Sequence, residues 1–229
     1  MNRLYFDCSN GISGDMVLNG LAALGVPSEE IAEALKGAVS CSGCCGCGHN
    51  HDHGHSHDTH SHRSYIEIKE MILNSGLSDN AKQTACSIYQ TIAEAEAEVH
   101  GTLLEETHFH EVGRDEAILN IMGVAFCLDR LQIKEIYCGI ICDGHGFIQC
   151  SHGEIPVPVP AVMAMRKNCD YRFERVDVAT ELVTPSGLGT LIGIGAQYVE
   201  AMPETEACVM VEAKGKRNTG RGGLKIYMY

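Results

Sequence analysis

The chain has no run approaching the ~18 consecutive apolar residues that cross a bilayer, so no membrane span is expected. Its first residues, MNRLYFDCSN, lack the apolar core of a secretion signal, which makes a cytoplasmic protein the expectation. Positive charge is scarce: 17 Lys and Arg stand against 30 Asp and Glu, a net charge of -13. That balance excludes general binding to nucleic acid or to an anionic membrane, yet leaves room for an anionic small molecule held locally. No internal repeat is evident. Twelve cysteines in a reducing compartment then read as thiols or metal ligands rather than a disulfide framework.

One segment lacks apolar side chains altogether. From Cys41 to His62 there is no Val, Ile, Leu, Met or aromatic residue, only Cys41, Cys44, Cys45, Cys47, His49, His51, His53, His55, His57, His60 and His62 among small polar residues. Such a segment cannot bury enough surface to offset roughly 1 to 2 kcal/mol of ordering entropy per residue, so the sequence predicts a disordered metal-binding linker inserted into the domain. Imidazole suits Zn, Ni, Cu and Fe, and thiolate adds affinity for Zn and Cu(I), which points to a late first-row metal without choosing one. The regular Cys2His2 finger spacing is absent.

The remainder has ample apolar residues, 45% of the chain, for one core. LYFD, residues 4 to 7, reads as a buried strand, and the turn NGISG leads into a helix from about Asp15 with Val17, Leu18, Leu21 and Leu24 on one face. Pro27, Ser28, Glu29 and Glu30 open a second helix that Gly37 closes. Ser64 and Glu67 form a capping box for a helix ending near Gly76, and a longer helix from Ser78 carries the stripe Ala81, Ala85, Ile88, Ile92, Ala95 and Val99. A further helix packs Ile118, Ile121, Met122, Ala125 and Leu128 inward, and EIYCGII and YRFERV read as strands. The alternation predicts a single α/β domain over 1–229, three layers with a mixed sheet flanked by helices; the run of helices between 64 and 131 keeps α+β as the alternative.

Four segments could carry chemistry. In DCSNGISGDM, Asp7 ends a strand and Asp15 begins a helix, with Gly11, Ser13 and Gly14 placed to approach a phosphate through amides or through a divalent cation. In THFHEVG, His108 and His110 would point the same way from extended chain, with Glu111 beside them: three candidate ligands or bases. GHGFIQCSHGEIPVP sets His145, Cys150 and His152 between glycines and prolines. ELVTPSG puts Thr184 and Ser186 at a helix start, to cap it or to contact phosphate.

In this order, DCSNGISGDM, the Cys/His-rich insertion, THFHEVG, GFIQCSHGEIPVPVPAV and ELVTPSG resemble the LarC family of nickel-insertion proteins, with GKRNTGRGGLKIYM as the closing strand region of the same domain. The resemblance implies insertion of Ni(II) into pyridinium-3,5-bisthiocarboxylic acid mononucleotide. Ni–S and Ni–C bonds form, CTP is hydrolysed with Mg(II) or Mn(II), and the product is the nickel-pincer cofactor of lactate racemase. It implies a lyase-class chelatase whose CTP site lies in a C-terminal domain, here expected from a separately encoded partner or a product of altered translation, together with lactate racemase pathway proteins. The chain departs from the family pattern at Cys8, Asn10, Glu116, Ala117 and Asn120. A nickel or zinc storage or chaperone protein without catalysis is the alternative from another class.

Overall fold

A computed structural model describes residues 2–39, 63–150, 153–203 and 209–229. The Cys41 to His62 segment and His152 lie outside the described residues. The central strand, β1 (Arg3–Asp7), alternates as its sequence demands, with Leu4 and Phe6 fully buried on one face. It is followed by α1 (Gly14–Ala23) and α2 (Ser28–Ala34), then β2 (Arg63–Ser64), α3 (Tyr65–Leu73), α4 (Asp79–His100), β3 (His108–Phe109) and α5 (Asp115–Arg130). The second half runs β4 (Glu135–Cys138), β5 (Ile141–Asp143), β6 (Gly146–Cys150), β7 (Gly153–Val157), α6 (Pro160–Lys167), β8 (Phe173–Arg175), α7 (Pro185–Gly193), β9 (Gln197–Tyr198), β10 (Val209–Ala213) and β11 (Leu224–Met228).

The fold is α/β. Its five-stranded sheet has the order β10-β11-β1-β4-β9, parallel from β1 to β9 and antiparallel through β11 and β10. Val211, Ile226, Phe6 and Cys138 stand side by side across it on the face that meets the helices. Helix α1 lies against β10 and β11, with α5 and α7 packed on α1, and α4 spans α5, α6 and α7 behind them. Close approach of α1 depends on Gly20, where a Cβ would fall 2.5 Å from the Ile226 Cδ1 atom.

Local signals explain the helix ends. Ser64 and Glu67 make the expected reciprocal capping box, and the Ser78 hydroxyl caps α4 by accepting from the Ala81 amide. The α4 stripe from Ala81 to Ala95 is buried, but Val99 is 39% exposed because the helix runs past the core and forms part of a cleft wall. The EIYCGII stretch is divided between β4 and β5, which belong to different sheets; β5 pairs with β8. The Gly- and Pro-rich stretch after His145 is a hairpin, β6 with β7, in which Pro156 pairs with Phe147 on a two-stranded ribbon. The described cysteines are free thiols, and no described helix is long and apolar enough to cross a membrane.

Candidate functional site

The site is assembled where two loops run side by side. Gly11, at φ +90°, brings its backbone so close to the 182–184 segment that a Cβ would sit 2.3 Å from the Leu182 carbonyl oxygen. The Ile12 amide donates to Leu182 O (2.9 Å) and the Thr184 amide to Ile12 O (3.0 Å), a parallel bridge between Ile12 and Val183. Ser13, Gly14 and Asp15 are thereby held beside the start of α7. Thr184 caps that helix through Gly187 N (3.1 Å), and Ser186 Oγ accepts from Gly14 N (3.3 Å).

Behind this junction Asp143 fixes the 181–184 segment. Its Oδ1 accepts the amides of Gly144 (2.8 Å), Leu182 (3.2 Å) and Val183 (3.2 Å), while Oδ2 is buried with no hydrogen bond among the described residues. Burial pushes the Asp143 carboxyl above its ordinary range, and the three amides pull against that shift. Next along, Glu181 is 7% exposed, with Oε2 accepting from Arg217 Nη1 at 2.8 Å. Burial raises its pKa to about 7, opposed by Arg217 and reinforced by Asp143 and Glu111.

The HFHEVG turn is anchored by its apolar members. Phe109 is buried edge-on to Tyr89, Val112 is buried with its carbonyl accepting from Tyr89 OH (3.0 Å), and Arg63 reaches the Gly113 carbonyl (2.9 Å). That leaves His110 and Glu111 on the wall of a cleft. The cleft joins a cavity of about 750 Å³, walled by Asp15, Arg114, Glu116 and the 214–222 loop, to an apolar one of about 410 Å³ containing His110, Ile148 and Ile155. Glu111, Glu181, Thr184, Ser186 and Arg217 border both.

Of the residues expected from sequence, Ser13, Asp15, His110, Glu111, Thr184 and Ser186 are brought to this cleft. Gly11 and Gly14 are packed behind it. Asp7 stands outside it, accepting from Ser9 N (3.1 Å) and facing Lys225 at 3.8 Å. His108 also stands outside: it is exposed on β3, close enough to Glu67 to help lower that carboxyl, which Ser64 hydrogen bonds hold down first. The strand ends at Phe109, so the two histidines do not share one extended face. His145 pairs with Asp177 at 3.0 Å, whereas Cys150 lines the smaller cavity.

Sequence reading missed Glu181, quoted within ELVTPSG but passed over for the hydroxyls, and it missed the cations. Lys214, Lys216, Arg217 and Arg221 fall within eight residues of a strongly acidic chain, a signal visible in the sequence. Lys216 pairs with Glu116, and its amide donates to Asp15 Oδ2 at 3.2 Å; Asp15 also takes the Ser13 hydroxyl. Among the described residues no three His, Cys, Asp or Glu side chains converge as a metal site.

The class this fold and cleft define is an α/β domain whose cleft sets an imidazole and carboxylates against a cationic loop. The chain belongs to the nickel insertion protein family, whose model matches residues 4–221. It is 39% identical to the pyridinium-3,5-bisthiocarboxylic acid mononucleotide nickel insertion protein of Acetivibrio thermocellus, over 96% of this chain and 58% of that protein. Proteins of the same name from Akkermansia muciniphila (38% identical, 89% of this chain and 52% of that protein) and Lactiplantibacillus plantarum (37%, 96% and 59%) are similarly related. The chain thus spans a little over half the length of these relatives. No solved structure matches it.

Proposed function

We propose that this chain takes part in inserting nickel into pyridinium-3,5-bisthiocarboxylic acid mononucleotide, the compound in its relatives' names, as one portion of a lyase-class cyclometallase that makes the nickel-pincer nucleotide of lactate racemase. The observation that carries the reading is the shared border of the two cavities, where Glu111, beside His110, meets the buried Glu181 and its exposed partner Arg217. Nickel is cargo here. A borderline ion suits one imidazole and the sulfur atoms of the substrate, so the protein need not supply a full ligand cage. When nickel replaces a ring hydrogen a proton is released, and Glu181, with a pKa raised to about 7 by burial, is suited to accept it at neutral pH.

CTP, in this reading, binds the part of the relatives that this chain does not span, in the cytoplasm and alongside lactate racemase pathway proteins. Mg(II) or Mn(II) would accompany the triphosphate there. The pair Asp7 and Asp15 does not fit such a cation, because only Asp15 borders the cleft and its oxygens already accept from Ser13 and Lys216. A storage role would rest on residues 41–62, since the described residues supply no three-ligand site.

The test is reconstitution with the C-terminal portion of a relative, Ni(II), CTP and the mononucleotide, followed by mass spectrometry of the small molecule. A nickel-bearing product that needs this chain supports the reading; its formation without this chain overturns it.

A further inference from the structure

Five cationic side chains, Arg114, Lys214, Lys216, Arg217 and Arg221, wall the larger cavity of a chain whose net charge is -13. Two of them are committed: Arg217 to Glu181 at 2.8 Å, and Lys216 to Glu116. The second pair also draws the loop toward the start of α5, where Arg114 stands. Arg221 spends one N–H on Ser9 O at 3.0 Å and keeps the rest of its guanidinium. Lys214 and Arg114 have no ion pair among the described residues, and both are exposed to the cavity. Three cations around this cavity are therefore without an ion pair among the described residues, against the two carboxylates Asp15 and Glu111 that line it as well.

The other candidate for an anion, the loop from Asp7 to Asp15, is the weaker one, since it carries no cationic side chain. Four of its amides are already used: Ser9 N by Asp7 (3.1 Å), Gly11 N by Cys8 O (3.0 Å), Ile12 N by Leu182 O (2.9 Å) and Gly14 N by Ser186 Oγ (3.3 Å). The two carboxylates at its ends would repel a phosphate as well.

We propose that the Lys214–Arg221 loop, with Arg114 opposite, seats the phosphate of a pyridinium mononucleotide and so turns its ring toward His110 and Glu111. This rests on the function proposed above. A phosphomonoester carries between one and two negative charges near neutral pH, and guanidinium and ammonium groups give it short charge-assisted hydrogen bonds. Gathering those groups at the loop end of the cavity leaves His110 and Glu111 for the metal-accepting end of the same molecule.

The experiment is calorimetric titration of the full chain with two probes: the mononucleotide of pyridinium-3-carboxylate, and the matching nucleoside without phosphate. Wild type is expected to bind the nucleotide at least tenfold more tightly, with an advantage that shrinks as salt rises. Lys214→Ala and Arg221→Ala should each weaken nucleotide binding about tenfold and leave the nucleoside unchanged, and Lys214→Arg should restore most of the loss. Asp15→Asn should not weaken the nucleotide. If both probes bind and the Lys214 and Arg221 variants keep the full preference for phosphate, the assignment of the phosphate to this loop is wrong while the cleft remains a mononucleotide site. If neither probe binds, the mononucleotide reading of the cleft falls, and this assignment with it.

Discussion

Burial holds the Glu181 carboxyl near neutrality, and that has a thermodynamic consequence at the residue scale. Its folded pKa, about 7, lies above the ordinary 4.5, so the folded state binds the proton more tightly than the unfolded one between those values. Stability from this group is greatest below pH 4.5 and is lost as pH rises to about 7, a fall on the order of 3 kcal/mol. Glu181→Gln should flatten the pH dependence of the thermal midpoint in that window, leaving the smaller contribution of the same sign from Asp143; an unchanged slope would show that Glu181 is not desolvated as described. The histidines of HFHEVG divide by the same logic of place. With the rest of the relatives' length supplied, His110→Ala and Glu111→Gln are expected to lower nickel insertion by 100-fold or more, and His108→Ala by less than threefold, measured as initial rates. The sequence showed three candidate ligands in four residues, but not that the strand stops at Phe109, because that depends on the packing of Phe109 on Tyr89 across the core.

At the scale of elements, the two adjacent loops decide where every cleft residue stands. Gly11 has both a positive φ and a backbone oxygen in the place of its Cβ, whereas Gly25, at φ +121°, has open space. Gly11→Ala should therefore lower the thermal midpoint by roughly 5 to 10 °C and Gly25→Ala by less than half as much, since strain of 1 to 3 kcal/mol is common to both and the clash is not. Equal effects would mean the loops can separate at little cost. In sequence Gly11 and Gly14 read as openings for a ligand; the chain's own 182–184 segment fills the opening at Gly11, and no local pattern says which backbone will approach. Helices α1 to α5 were legible through caps and apolar stripes because both signals are local, whereas α6, which opens on Pro160, was not. Strand β10 was not, as Val209 and Met210 are half exposed and the strand acquires meaning only by pairing with β11. The β6–β7 hairpin was hidden by Pro156, which reads as loop until the two-stranded ribbon accommodates it.

At the scale of the whole molecule, the proposed function assigns metal gathering and metal handling to different parts of the chain. Residues 41–62 hold eleven of the Cys and His side chains, while the cleft holds His100, His110, Cys150 and the carboxylates. Deleting 41–62 should reduce the number of Ni(II) ions bound at pH 7.5 and shift the thermal midpoint by no more than about 2 °C, because that segment has no apolar side chain to contribute to a core. Nickel binding to the intact chain should weaken steeply below pH ~6.5, where imidazoles take up protons. Binding unchanged at pH 5 would assign the metal to thiolates or carboxylates instead. The cationic loop is the proposed match for the mononucleotide's phosphate, and its visibility in the sequence as a cluster in 214–221 was masked by the acidity of the chain as a whole.

The central claim, that nickel enters the mononucleotide in the cleft bordered by His110, Glu111 and Glu181, is tested most directly by a single reconstitution. The chain, as wild type and as the His110→Ala, Glu111→Gln double variant, is combined with the C-terminal portion of a relative, Ni(II), CTP and pyridinium-3,5-bisthiocarboxylic acid mononucleotide, and the nickel-bearing product is counted by mass spectrometry. The expected result is product with wild type and none above background with the variant, although residues 41–62 are intact in both and total nickel bound is nearly equal. Equal product from both proteins would contradict the account and place the chemistry outside this cleft.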